Sequence, residues 1–111
     1  MAIISVSKLK KLIIDDQKLV ILDIRTKWET KDGCIPKAEF MDVSSQSFMK
    51  DILSLAKEKT YCLYCASGGR ASMVVPFMEE NGFENVYELE GGIISWILQG
   101  NPLEKSRKFI D

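Results

Sequence analysis

Along this chain, short apolar runs alternate with stretches whose apolar residues recur every three or four positions, with glycine, proline or charged clusters between them. That alternation predicts strands interleaved with helices, an α/β domain layered around a mostly parallel sheet. Residues 2–4 read as a short first strand, and Ser5 or Ser7 caps a helix in which Leu9, Leu12 and Ile13 share one face. Residues 20–24 predict a second strand, apolar on both sides except at Asp23, which suits a central position. A helical turn over residues 27–31 ends at Gly33, and Pro36 forces an extended start to a third strand over 38–41. Ser44 or Ser45 caps the next helix, striped by Phe48, Ile52 and Leu55. A polar turn leads to a fourth strand, residues 60–64. The helix after it turns Val74, Phe77 and Met78 inward and closes at Gly82. Residues 86–89 form the last strand, and Gly91 and Gly92 open a helix burying Ile93, Trp96 and Ile97. Pro76 is out of place past the first turn, where proline costs about 3 kcal/mol. Either that helix bends, or its regular part starts later. The pattern predicts one domain over residues 1–103 and a charged tail over 104–111, frayed from Leu103 onward.

Composition narrows the function without naming it. With 111 residues, 46% hydrophobic and 28% charged, the chain fits a soluble globular domain with its own core. A formal charge of −1 offers no basic field, so nucleic acid is not an expected partner. No apolar run is long enough to cross a bilayer, and the first residues lack the basic and apolar regions of a signal peptide. No membrane partner is expected. Three cysteines without a disulfide framework point to free thiols in a reducing, cytoplasmic setting. With no histidine beside them they are too few for a zinc site, and neither metal nor organic cofactor is expected.

The candidate chemistry lies in residues 61–70, Tyr-Cys-Leu-Tyr-Cys-Ala-Ser-Gly-Gly-Arg. An apolar strand runs into Cys65, then a glycine-containing loop, then a helix opening near Arg70. Loop amides from Ala66 to Arg70, backed by the positive end of a helix, form a cup that favours a thiolate and holds an anion before it. No histidine is required. Cys62 and Cys65 spell C-x-x-C, but on a strand they face opposite sides about 10 Å apart, so Cys62 reads as packing.

Three landmarks, in order and covering nearly the whole chain, resemble the rhodanese (sulfurtransferase) domain. Asp23-Ile24-Arg25 with Glu29 and Gly33-Cys34-Ile35-Pro36-Lys37-Ala38 is similar to its first signature. Cys65-Ala66-Ser67-Gly68-Gly69-Arg70-Ala71-Ser72 is similar to its active loop, and Gly91-Gly92-Ile93-Ile94-Ser95-Trp96 to its closing motif. The resemblance implies a rhodanese-like α/β fold, with a five-stranded sheet covered by helices on both faces and the loop at its carboxyl edge. It also implies that Cys65 takes a sulfane sulfur from a donor such as thiosulfate as a persulfide. Cyanide, a cellular thiol or a protein acceptor would then remove it. Arg70 is implied beside Cys65 as catalytic, with Ala66, Ser67, Gly68, Gly69 and Ala71 binding substrate. Asp23, Arg25 and Glu29 are implied as structural supports. Side chains at Gly68 and Gly69 would crowd the cup, and Ser67 is expected to lend a hydroxyl hydrogen bond.

The chain also departs from the family pattern. Cys34 stands where a histidine is usual, Thr30 where an aromatic is frequent, and Lys37 where glycine is common. Trp28 is read as a local substitute on the rim. Cys34 is expected near a surface turn, and a resolving role for it against a Cys65 persulfide stays open. Two other classes stay open as well. One is a persulfide carrier that relays sulfur with little thiosulfate activity. The other is a cysteine phosphatase or arsenate reductase, against which the four residues between Cys65 and Arg70 argue, because phosphatases of this fold carry five.

Overall fold

The computed structural model describes residues 2–105. Five strands, β1 (Ile3–Ile4), β2 (Leu19–Asp23), β3 (Glu39–Phe40), β4 (Thr60–Tyr64) and β5 (Asn85–Leu89), form one sheet in the order β1-β5-β4-β2-β3. Every neighbouring pair is parallel. Three helices, α1 (Val6–Asp15), α2 (Phe48–Leu53) and α3 (Ala71–Glu80), lie between strands, α4 (Gly92–Leu98) follows β5, and a 3-10 turn at Glu29–Asp32 lies between β2 and β3.

Parallel strands need both faces covered, and side-chain alternation sorts the apolar residues into two cores. Leu22, Tyr61, Leu63, Cys65 and Val86 pack with Phe48 and Ile52 of α2 and with Ala71, Val74, Val75 and Met78 of α3. On the other face, Ile21, Cys62, Tyr64 and Leu89 pack with Val6 and Leu9 of α1 and with Ile93 and Trp96 of α4. All five residues of β4 are buried, as a central strand requires. Its carboxyl end therefore opens at the middle of the sheet's edge, where a parallel sheet presents ligands.

Local chemistry explains where elements begin and end. Ser5 caps α1, its side chain accepting from the Lys8 amide at 3.1 Å. The expected cap of α2 is displaced. Ser44 binds Asp42 instead, and the helix starts after Ser47, which makes no side-chain cap bond. Pro76 lies inside α3, and Arg70 already has helical dihedrals, so the regular part does not start later. The proline is exposed, as is Ser72, whose carbonyl loses its helical donor to the missing amide. Ile97, expected in the core, is 47% exposed, because α4 spans two turns and turns Ile93 and Trp96 inward instead.

The end of the domain is held more firmly than its charge suggests. Cys34 and Glu104 form an antiparallel bridge with two 2.9 Å backbone bonds. The indole N–H of Trp96 donates to the Pro102 carbonyl at 2.8 Å. Fraying does not set in at Leu103, and the rest of the expected tail, 106–111, lies outside the described residues.

Candidate active site

Cys65 follows β4 directly and is 1% exposed, at the base of the loop leading to α3. The Gly68 amide donates to its Sγ at 3.1 Å. That bond needs Gly68 at φ +122°, a region side chains rarely adopt. The loop carbonyls are drawn away from the sulfur. Those of Cys65 and Ala66 accept the Ile93 and Ile94 amides at 3.1 and 3.2 Å, and those of Gly68 and Gly69 accept from Ser72 at 3.0 and 2.8 Å. The amides of Ser67, Gly69 and Arg70 donate to no protein acceptor among the described residues. Carbonyls engaged outward and amides left free make an anion nest.

Gly92 makes this arrangement possible. At φ +57°, a Cβ on it would fall inside 3.0 Å of the Cys65 and Ala66 carbonyl oxygens, so only glycine lets α4 dock on the loop. At the other two glycines the protein's own atoms leave room for a side chain. A Cβ on Gly69 would meet nothing within 4 Å, and one on Gly68 would make an ordinary contact, so backbone angle alone requires glycine at 68. Ser67 is exposed and makes no hydrogen bond among the described residues.

Arg70 does not point an unmatched charge into the cup. Its guanidinium grips Glu29 with two parallel bonds, Nη1 to Oε1 at 2.5 Å and Nη2 to Oε2 at 2.7 Å. Glu29 Oε1 also accepts the Thr26 amide at 2.9 Å. Arg70's hydrogen bond holds the Glu29 carboxyl down at about 2, outweighing the opposing effect of burial. The same pair raises the Arg70 pKa, with a smaller contribution from Cys65.

Asp23 and Arg25 form a structural brace. Asp23 accepts Arg25 Nη2 at 2.7 Å and the Tyr64 hydroxyl at 2.7 Å, and both acid and base are buried. Arg25 also donates to the carbonyls of Glu29 and Gly33, tying down the whole turn after β2. Tyr64 accepts the Ile35 amide at 3.1 Å, and its own pKa is raised, first by burial.

The other cysteines stay apart from Cys65. Cys62 packs on the opposite face, its thiol pushed up to about 12 by burial and by Glu88. Cys34 follows the turn at Glu29–Asp32, as expected, but is itself fully buried on that same face, on the far side of the sheet from Cys65. Trp28 is 74% exposed beside Glu29, with Lys31 Nζ 4.1 Å from its ring centroid. Sequence reasoning overlooked Glu88, a buried acid on β5 beside Gly68. Its position two residues after Val86 on a buried strand was the available signal.

Residues 5–99 match the family model described as the Rhodanese-like domain. The chain belongs to the rhodanese-like family. It is 33% identical over 99 residues to the putative sulfurtransferase YtwF of Bacillus subtilis (strain 168), spanning 89% of this chain and 93% of that protein. It is 34% identical over 104 residues to the tRNA uridine(34) hydroxylase of Yersinia pestis (strain Pestoides F), covering 88% of this chain but 29% of that longer protein. A rhodanese-related protein from Thermoplasma volcanium superposes with a TM-score of 0.84 at 28% identity, over 96% of this chain and 100% of that one. The rhodanese-like fold, read from motifs, is therefore shown by both sequence and architecture. No helix among the described residues is long and apolar enough to cross a membrane.

Proposed function

We propose that this rhodanese-like chain is a sulfurtransferase that carries a sulfane sulfur as a persulfide on Cys65. The Cys65 thiolate attacks the outer sulfur of a donor such as thiosulfate. The donor's S–S bond breaks, sulfite leaves with the electron pair, and Cys65–S–S⁻ remains. An acceptor, cyanide or a thiolate, then attacks the terminal sulfur. The bond to Sγ breaks and the Cys65 thiolate is restored. Neither step needs an external oxidant.

The observation that carries this reading is the Gly68 amide 3.1 Å from Sγ. Together with the unengaged amides of Ser67, Gly69 and Arg70, it supplies preorganised donors for negative charge on the sulfur or the persulfide. Ala66 and Ala71 contribute backbone at the two ends of the loop. Arg70 acts by holding the loop through Glu29 and adds its field to Cys65. Three free thiols suit a reducing cytoplasm.

The test is intact mass after thiosulfate treatment. A gain of one sulfur, about 32 Da, removed by cyanide and absent in Cys65→Ala, supports the covalent step. No gain, or the same gain in Cys65→Ala, overturns it. One observation favours a relay reading as well: the domain spans 29% of the longer hydroxylase relative, where it sits within a larger protein. Sulfur loading with little thiosulfate-to-cyanide turnover would select the relay.

A further inference from the structure

Strand β5 carries an acid into the sheet. Glu88 is 9% exposed and sits in register with Leu63 of β4 on one side and Ile3 of β1 on the other. Alternation from Val86 places its side chain on the face that holds Cys65. Its carboxyl meets the active loop: a Cβ built on Gly68 would lie 3.5 Å from Glu88 Oε2. Gly68 is the residue whose amide holds the sulfur.

This carboxyl has no hydrogen-bond partner among the described residues, and no fully enclosed side-chain oxygen there is left without one. Its oxygens therefore keep a little solvent contact beside the loop. Few other groups influence it. Residues 2–4 bring no charge, and α2 and α3 turn only apolar residues to this face. Cys62 on β4 is held neutral, and Glu90 just beyond β5 is exposed. From the loop come Cys65 and Arg70, the latter already paired with Glu29. Burial without a partner raises the Glu88 pKa above its ordinary 4.5.

We propose that Glu88 is a charge gate for the Cys65 cup, admitting anionic sulfur donors when neutral and favouring donors of lower charge when ionised. This rests on reading Cys65 as the sulfur-accepting nucleophile. With Arg70 balanced by Glu29, an ionised Glu88 adds negative charge that no side chain offsets. A neutral or singly charged organic persulfide then fits the site better than dianionic thiosulfate.

Paired alkylation tests the gate without requiring sulfur transfer. The Cys65 thiolate displaces iodide from iodoacetamide and from iodoacetate alike, and the two reagents differ by one negative charge. Their rate ratio at Cys65, followed by peptide mass mapping, cancels the thiolate fraction and reads the local field. The chain has no histidine, so apart from its thiols no ordinary side chain titrates between pH 5 and 8. In the wild type the amide-to-acetate ratio should climb on the order of threefold to tenfold as pH rises from 4.5 to 8, since the Glu88 carboxyl ionises above its ordinary value. Glu88→Gln should stay at the low-pH ratio, and Glu88→Asp should keep the climb. A flat wild-type ratio, an equal climb in Glu88→Gln, or failure of both reagents to reach Cys65 overturns the gate. A protein that shows the climb but never gains sulfur retains the gate and loses the sulfurtransferase reading. One that gains sulfur with a flat ratio does the reverse.

Discussion

Arg70 and Glu29, 41 residues apart, meet as a two-pronged ion pair that fastens the start of α3 to the turn after β2. A planar guanidinium and a carboxylate in this arrangement fix orientation as well as distance. The active loop is thus anchored at both ends, by Arg70 at one and by the amides of α4 on the Cys65 and Ala66 carbonyls at the other. A loop held this way keeps the Gly68 amide on the sulfur without rearranging when charge arrives.

Arg70→Lys should separate orientation from charge. Lysine keeps the cation but cannot form the fork, so sulfur loading of Cys65 is expected to slow roughly tenfold. Stability should fall by less than about 1 kcal/mol, since the two side chains are 34% and 33% exposed and water screens them. Single-turnover loading followed by mass spectrometry, beside thermal melts, checks both. Equal loading rates would return Arg70 to a purely packing role.

The same pair sets a pH dependence. Glu29 titrates at about 2 in the folded chain against an ordinary 4.5. A lowered carboxylate pKa stabilises the fold above the unfolded value, and that contribution disappears as pH falls through the folded value. Melting temperatures of wild type and Glu29→Gln should therefore differ most above pH 4.5, by the equivalent of about 1 kcal/mol after screening, and converge near pH 2. A gap that stays constant across that range would place the stabilisation elsewhere.

Removing the buried cation should cost far more. Arg25→Met strands Asp23, which is fully buried, with only Tyr64 and one backbone amide as donors. A loss of about 3 to 5 kcal/mol is expected by chemical denaturation. Sulfur loading per folded molecule should fall less than in Arg70→Lys, because Arg25 braces the turn that carries Glu29 but touches neither Arg70 nor the sulfur.

Much of this site was legible from the chain because its grammar is local. A strand ending in Cys65, a glycine loop and a helix start lie within a dozen residues, and β4 was placed at its observed bounds. Cys62 and Cys65 fell on opposite faces because strand alternation requires it. What was lost depended on distant partners. Nothing near Leu103 or Glu104 signals the bridge to Cys34, and charge alone suggested a loose end. Glu88 escaped notice because an acid in a short strand reads as a solvent-facing position until the β1 and β4 neighbours on either side are known. The α2 cap was misplaced because serines 44, 45 and 47 compete within one turn, and Asp42 decides between them.

Lys37 offers a direct stability test. It adopts φ 69°, the sole non-glycine residue with positive φ among those described, and its amide donates to Glu104 Oε2 at 2.9 Å. Glycine keeps that amide and relieves the left-handed strain of roughly 1 to 2 kcal/mol, less its greater freedom when unfolded. Lys37→Gly should therefore raise stability by about 1 kcal/mol, or about 4 °C in melting temperature. An unchanged or lower midpoint would show that the lysine side chain contributes something glycine cannot replace.

Two glycines of the site should respond in opposite ways to one added methyl group. At Gly92 the new carbon would strike the carbonyls of Cys65 and Ala66, which are backbone and cannot turn aside, and the residue sits at φ +57°. Gly92→Ala must push α4 off the loop or distort the loop itself, so a loss of about 3 kcal/mol is expected, with Cys65 loading reduced even below the melting transition. At Gly69 the methyl group enters open space with no positive φ to oppose it. Gly69→Ala should stay within about 0.5 kcal/mol of wild type and retain loading. The contrast separates two explanations of a glycine-rich loop, a need for space around the sulfur or a need for close docking from behind. If Gly69→Ala abolished loading while Gly92→Ala did not, the space around the sulfur would be the controlling feature, and the docking of α4 would be incidental.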